Sequence, residues 1–182
     1  MKTSGKYKLQ FIKATKRQNI LVAIFYAITL ITAFSISLYF TGKLLSESRY
    51  FGALWAAVAA TVIMQSSFQS VLSNSWFSLI GTFIGSLCAA LYLYWFHSAS
   101  LVGMAVVIVF VQLFCILLSL PEAGKLAVLN VMVVMVISEI HRGQGPFING
   151  GLRFFESVVG IGVGVFFAWL LRFFIKDKEP TG

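Results

Sequence analysis

From Leu79 to Leu120 the chain runs for 42 residues without a charged side chain. A hydrocarbon core of about 30 Å is crossed by roughly 20 helical residues rising about 1.5 Å each, so this run is two spans with one break. His97-Ser-Ala-Ser100 is the only polar cluster available to make the break. It divides a helix ending in the interface aromatics Tyr92, Tyr94, Trp95 and Phe96 from one covering Leu101 to Leu120. With 59% hydrophobic residues, 11% charged and a mean hydropathy of +0.90, the whole chain is too apolar for a soluble domain and reads as an integral membrane protein.

The pattern of Trp76 to Phe96 returns in Phe155 to Phe174. One shift of 79 residues sets Gly81 on Gly160, Gly85 on Gly164, Ser78 on Ser157 and Trp76 on Phe155. The same shift places helix one on helix four and helix two on helix five, with Gly42 falling on Pro121. A repeat of three helices crosses an odd number of times, so its two copies lie in opposite orientation. The expected fold is an all-α integral membrane protein with six transmembrane helices, arranged as two inverted three-helix repeats at about 19–96 and 101–175.

The remaining segments follow from local signals. Residues 1–18 hold six of the fourteen basic residues (Lys2, Lys6, Lys8, Lys13, Lys16, Arg17), a topology signal rather than a nucleic-acid footprint. Asn19 to Phe40 is 22 residues long, beyond the roughly 7 to 15 of a signal-peptide core, and no small-residue cleavage pattern follows, so it is retained as helix one. Thr41 to Arg49 reads as a polar turn, and Tyr50 to Ser67 as an Ala-rich helix two. Residues 67–78 are uncharged but rich in hydroxyls and amides, and read equally as a loop, a re-entrant piece or polar helix extensions. Ser119-Leu-Pro-Glu122 has the form of a helix start, with Ser119 capping and Glu122 reaching back, and helix five runs to about Ile140. Residues 141–151 have loop composition, Asn149 caps a helix six that continues to about Ile175, and 176–182 form a short polar tail. With the N-terminus inside, ten Lys and Arg fall in cytoplasmic segments and four outside, which predicts an inner (plasma) membrane protein with both termini cytoplasmic and loops near 45, 98 and 146 outside.

Gly81-x-x-x-Gly85 and Gly160-x-x-x-Gly164 each place two glycines on one helix face, for close packing or as surfaces where the two halves meet. Arg153 and Glu156 lie three apart near the mouth of helix six, spaced to pair structurally or to serve a substrate or proton; Glu139, at the matching end of helix five, is placed to join them. Lys125 reads as a topology anchor or a carboxylate-binding cation. Asn130 and Gln112 lie deeper and must face protein or a wet cavity, as interhelical hydrogen bonders or a pathway lining. Gln65, Ser66, Ser67 and Gln69 form a polar patch at the end of helix two, open to loop solvation or a substrate-facing role. Cys88 and Cys115 sit in apolar runs and read as small hydrophobes. His97 and His141 stand at helix ends 44 residues apart, and no nucleophile, phosphate-loop or metal-ligand spacing is present, so neither enzymatic activity nor a cofactor is expected.

The chain resembles the fusaric acid resistance or aromatic acid exporter superfamily. The resemblance rests on Phe51-Gly-Ala-Leu-Trp-Ala-Ala-Val-Ala-Ala60 with Gln65 and Ser66, on Gly81-Thr82-x-x-Gly85, and on Arg153-x-x-Glu156-x-x-x-Gly160-x-x-x-Gly164. It implies a six-helix membrane unit built from two three-helix repeats and a role in exporting aromatic carboxylates and other toxic small molecules. Two departures stand out: Ser78 occupies a position where the family often carries Arg, and no cytoplasmic domain follows Lys178. The first weakens any anion-binding role in that repeat; the second suggests a minimal unit working as a homo-oligomer or with a separately encoded cytoplasmic partner. The expected function is transport-type efflux of small amphipathic aromatic or carboxylate compounds, in contact with membrane lipid and without nucleic acid. The alternative is a non-transporting scaffold that binds protein or lipid.

Overall fold

The computed structural model describes residues 16–44, 48–64, 70–141 and 143–174, with the side chains of 16–19 left aside. Six helices follow one another: α1 Lys16–Leu44, α2 Arg49–Met64, α3 Val71–Phe96, α4 Leu101–Leu117, α5 Pro121–Ile140 and α6 Pro146–Phe174. Four stretches are long and apolar enough to cross a membrane: Ile20–Leu44, Val71–Phe96, Pro121–Ile140 and Pro146–Phe174. α2 and α4 are apolar but shorter, at 16 and 17 residues. The chain is a multi-pass membrane protein.

The expected break at His97-Ser-Ala-Ser100 is present, and its chemistry is local. His97 takes a left-handed conformation (φ 52°) that ends α3 with its amide on the Leu93 carbonyl, and the Ser100 side chain accepts from the Gly103 amide to start α4. The polar residues after Val71 are helical, so residues 71–78 extend α3 by two turns. Two of its hydroxyls are satisfied within the helix: Ser75 Oγ donates to the Val71 carbonyl and Thr82 Oγ1 to that of Ser78.

Two expected helix caps are overturned. Ser119 does not start α5; it closes α4 in a left-handed conformation (φ 58°), its amide meeting Ile116 O and that of Leu120 meeting Cys115 O. These are the paired bonds of a Schellman motif, with serine where glycine is usual and Pro121 directly after. Glu122 instead pairs with Lys125 at 2.7 Å on the exposed side of α5. Asn149 lies inside α6, which begins at Pro146, and it is fully buried. α1 also continues through the expected polar turn to Leu44.

Successive helices run in opposite directions. Phe25 near the start of α1 meets Phe174 at the end of α6, and Tyr26 Oη donates to Thr61 O near the end of α2. α3 and α6 form the central pair, α5 lies on α3 and α2 on α6, with α1 against α2 and α6 and α4 against α5. α2 and α5 make no backbone contact with each other. One apolar core joins Ala89, Leu93, Val107, Val111, Cys115 and Val131 across α3, α4 and α5; a smaller one joins Ala59, Ile63, Val71, Ile161 and Ala168 across α2, α3 and α6. Large apolar side chains such as Leu101, Val102 and Leu117 point outward, while small residues fill the interior. This is the inversion expected where lipid replaces water and close backbone packing holds helices together. On α1 the buried residues Thr29, Ala33, Ser37 and Thr41 recur every fourth position, a small-residue stripe laid against its neighbours.

The four motif glycines are contact points between the halves. A Cβ on Gly81 would strike Ala123 O, and one on Gly85 would strike Ala127 O, so α3 rides on the backbone of α5. Gly160 stands in the same relation to Ala56 O, and a Cβ on Gly164 would lie 3.2 Å from Ala60 O and 3.0 Å from Ile63 Cβ. Each glycine pair advances along its partner in the same direction, so both contacts are between parallel helices. The partner alanines of α5 and α2 are not related by the shift that relates the glycines, so one constant offset does not describe both helix pairs.

Candidate functional site

Arg153 sits two turns into α6, and at i,i+3 its side chain shares a face with Glu156. Both side chains are fully buried, with Arg153 Nη1 at 2.9 Å from Glu156 Oε2. The contact is close but not aligned as a hydrogen bond, so the remaining capacity of both groups goes to the α1–α2 corner. Arg153 Nη2 donates to Ser48 Oγ at 2.7 Å, and Thr41 Oγ1 donates to Glu156 Oε1 at 3.0 Å. Gly52 in the first turn of α2 makes room: a Cβ there would overlap the Glu156 carboxylate. Arg153 Nε has no hydrogen-bond partner among the described residues. Burying two charges is costly, and only mutual attraction with added hydrogen bonds offsets it, so Thr41, Ser48 and Gly52 are as much part of the site as the ions. Sequence reasoning missed these three; Gly52 lay inside the quoted helix-two motif, but nothing in its spacing points to a residue of α6.

One turn deeper, Trp55 Nε1 donates to Ser157 Oγ at 2.8 Å, and Ser157 Oγ donates back to Arg153 O at 2.9 Å. Thus α2 is tied to α6 by a buried polar ladder beside the glycine contact. The α3–α5 side has its own. Asn130 Nδ2 donates to Thr82 O at 2.6 Å and Ser86 Oγ at 2.5 Å. Asn149 Nδ2 donates to Val134 O at 3.0 Å and Ser138 Oγ at 2.7 Å, fastening α6 to α5. The Oδ1 atoms of both asparagines are buried without a partner among the described residues. Asn130 is therefore an interhelical hydrogen bonder, and Asn149 does for α5 and α6 what a cap would not.

Other candidates are placed apart. Glu139 is exposed and lines a cavity of about 220 Å3 with Leu93, His97, Ser98, Ser138 and Gln144 at the end of α3 and α5; neither Arg153 nor Glu156 lines that cavity. Lys125 is exposed and paired with Glu122. Gln112 packs its side chain toward Gly124, where a Cβ would lie 2.8 Å from its Oε1. Gln65, Ser66, Ser67 and Gln69 lie outside the described residues. Cys115 is buried in the α3–α4–α5 core and Cys88 packs at its edge.

The arrangement is a set of buried polar fastenings: those at Arg153–Glu156, Ser157 and Asn130 join an element of one half of the chain to one of the other, and that at Asn149 joins α5 to α6 within the second half. Comparison with known families finds one that matches: the model described as fusaric acid resistance protein-like covers residues 36–167, more than half of the chain. No curated protein matches the chain, and no solved structure matches it.

Proposed function

The chain belongs to the fusaric acid resistance protein-like family, and from that premise we propose a transporter-type protein of the inner membrane that moves small amphipathic aromatic or carboxylate compounds outward. In this reading residues 19–175 are the membrane domain, all six helices cross, and the halves at about 19–96 and 101–175 are inverted repeats. The observation that carries it is reciprocal packing: the glycine helix of each half, α3 or α6, lies on the second helix of the other half. Exchange of partners between two oppositely oriented copies supports a unit whose halves rock against one another about a midplane site. α2 and α4 would cover roughly 24 to 26 Å at about 1.5 Å per residue, a shortfall that local thinning of the bilayer accommodates. Residues 1–18 and 176–182 are then cytoplasmic, and the positive N-terminal segment supports that side. Gln65, Ser66, Asn130 and Glu139 are the pathway candidates, with Arg153 and Glu156 at its outer end. The working unit in this reading is a homo-oligomer, with a cytoplasmic partner protein as a further component.

One observation favours the second reading, a non-transporting scaffold: Arg153 and Glu156 form a fully buried pair and do not line the cavity at Glu139. Purified protein in liposomes separates the readings. Concentrative or downhill flux of an aromatic carboxylate that empty liposomes lack supports transport; absence of flux together with stoichiometric co-purification of a partner supports the scaffold.

A further inference from the structure

α3 and α6 are closed on each other midway by the Phe83–Phe154 edge contact, with ring centroids 5.5 Å apart, and by the Gly150 approach to Ser86 O. Toward the start of α3 and the end of α6 they part. A groove of about 390 Å3 opens there, lined by Val71, Leu72, Gly162, Val165, Trp169 and Arg172 among others. Its depth is set by a missing side chain, because a Cβ on Gly162 would meet nothing within 4 Å. From Gly162 to Arg172 the groove follows α6 for ten residues, about 15 Å, which is half of a hydrocarbon core of about 30 Å and so the depth of one leaflet.

The ends of this groove differ in chemistry. The Gly162 end is apolar, whereas the outer end holds the exposed Trp169 and Arg172, the residue types that seat at the headgroup level. Arg172 has no acidic partner among the described residues; Glu122 is held by Lys125. α1 starts at this same end, as the Phe25–Phe174 contact shows; Lys16 and Arg17 lie in its first turn and four lysines precede it in the sequence. An apolar slot one leaflet deep, with an interfacial Trp at its mouth and an Arg that has no acidic partner among the described residues, matches one kind of occupant.

We infer that the α3–α6 groove is a binding site for an anionic phospholipid, whose headgroup phosphate meets Arg172 and whose acyl chain lies along Trp169 and Val165 over Gly162. The site neutralises Arg172 and fills the space that the two helices leave open. It depends on the groove alone, so it stands whether or not the protein transports.

The test uses delipidated full-length protein titrated with phosphatidylglycerol or phosphatidylcholine brominated in the acyl chain, reading quenching of Trp169 fluorescence by difference from Trp169→Phe. Phosphatidylglycerol is expected to quench at a concentration about five-fold lower than phosphatidylcholine, the factor of one interfacial cation–anion contact. Arg172→Gln should abolish the preference and Arg172→Lys keep it. Gly162→Leu, whose Cβ meets no neighbour, fills the floor of the groove and should remove the quenching by both lipids. Equal quenching by the two lipids in the parent protein overturns the proposal, as does a preference that survives Arg172→Gln. Displacement of the brominated lipid by a soluble aromatic carboxylate also overturns it, because the groove is then a substrate site.

Discussion

Arg153 Nη1 stands 2.9 Å from Glu156 Oε2, and neither side chain reaches solvent. The pair belongs to α6, but what completes it comes from α1, α2 and the corner between them, through Thr41, Gly52 and Ser48. Removing either ion leaves the other charge buried without its counterpart, at a cost of roughly 3 to 5 kcal/mol. Arg153→Met and Glu156→Leu should each lower the unfolding temperature in detergent sharply, and the double variant should recover much of the loss. Additive losses in the double variant would show that the two residues do not act as a pair.

Gly52 offers a sharper test of the same site. Gly52→Ala drives a methyl into the Glu156 carboxylate and should cost about 1 to 3 kcal/mol by overpacking. Gly151→Ala, on the open side of α6, should be neutral or gain a fraction of about 1 kcal/mol from helix propensity. Thermal unfolding of the two variants side by side decides this; equal stability would mean that the α2 approach to Glu156 is not as drawn.

The motif glycines are engaged within one chain. Gly85→Leu and Gly160→Leu should therefore destabilise the monomer fold itself, read as lost monodispersity and a lowered unfolding temperature. Variants that unfold like the parent but shift only the oligomer peak would place these glycines at a subunit interface instead.

Asn149→Ala removes donors to Val134 O and Ser138 Oγ and should cost about 0.6 to 1.7 kcal/mol, the range for a hydrogen bond between membrane helices. If Asn149 acted as a helix cap, Asn149→Ser would restore stability; the buried geometry predicts that it will not, because the shorter side chain cannot span to α5. Unfolding measurements on the two variants discriminate the roles.

Orientation is tested from outside sealed cells. Ser98→Cys, at the exposed α3–α4 turn, should react with an impermeant maleimide, and Ser4→Cys should not. The reverse pattern would invert the proposed topology.

Much of the architecture was legible in the chain because lipid imposes one strong rule on sequence. The 42 uncharged residues had to break once, and the only polar cluster, ending in Ser100 whose hydroxyl accepts from the free Gly103 amide, is where they do. The glycine pairs announced close backbone approach, since a residue without Cβ allows the closest. What the sequence could not specify were partners and caps. Ser119 and Asn149 both carried the residue type of a helix N-cap, yet one ends a helix in a left-handed turn and the other binds a neighbouring helix. Either use satisfies the same hydrogen-bonding groups, and the choice depends on which backbone lies within about 3 Å. Arg153 and Glu156 were visible as a pair from their spacing. That they are sealed by Thr41, Ser48 and Gly52, more than 100 positions away for each, was decided only when α1 and α2 folded over α6, because a buried charge takes its partners from whatever the tertiary packing brings.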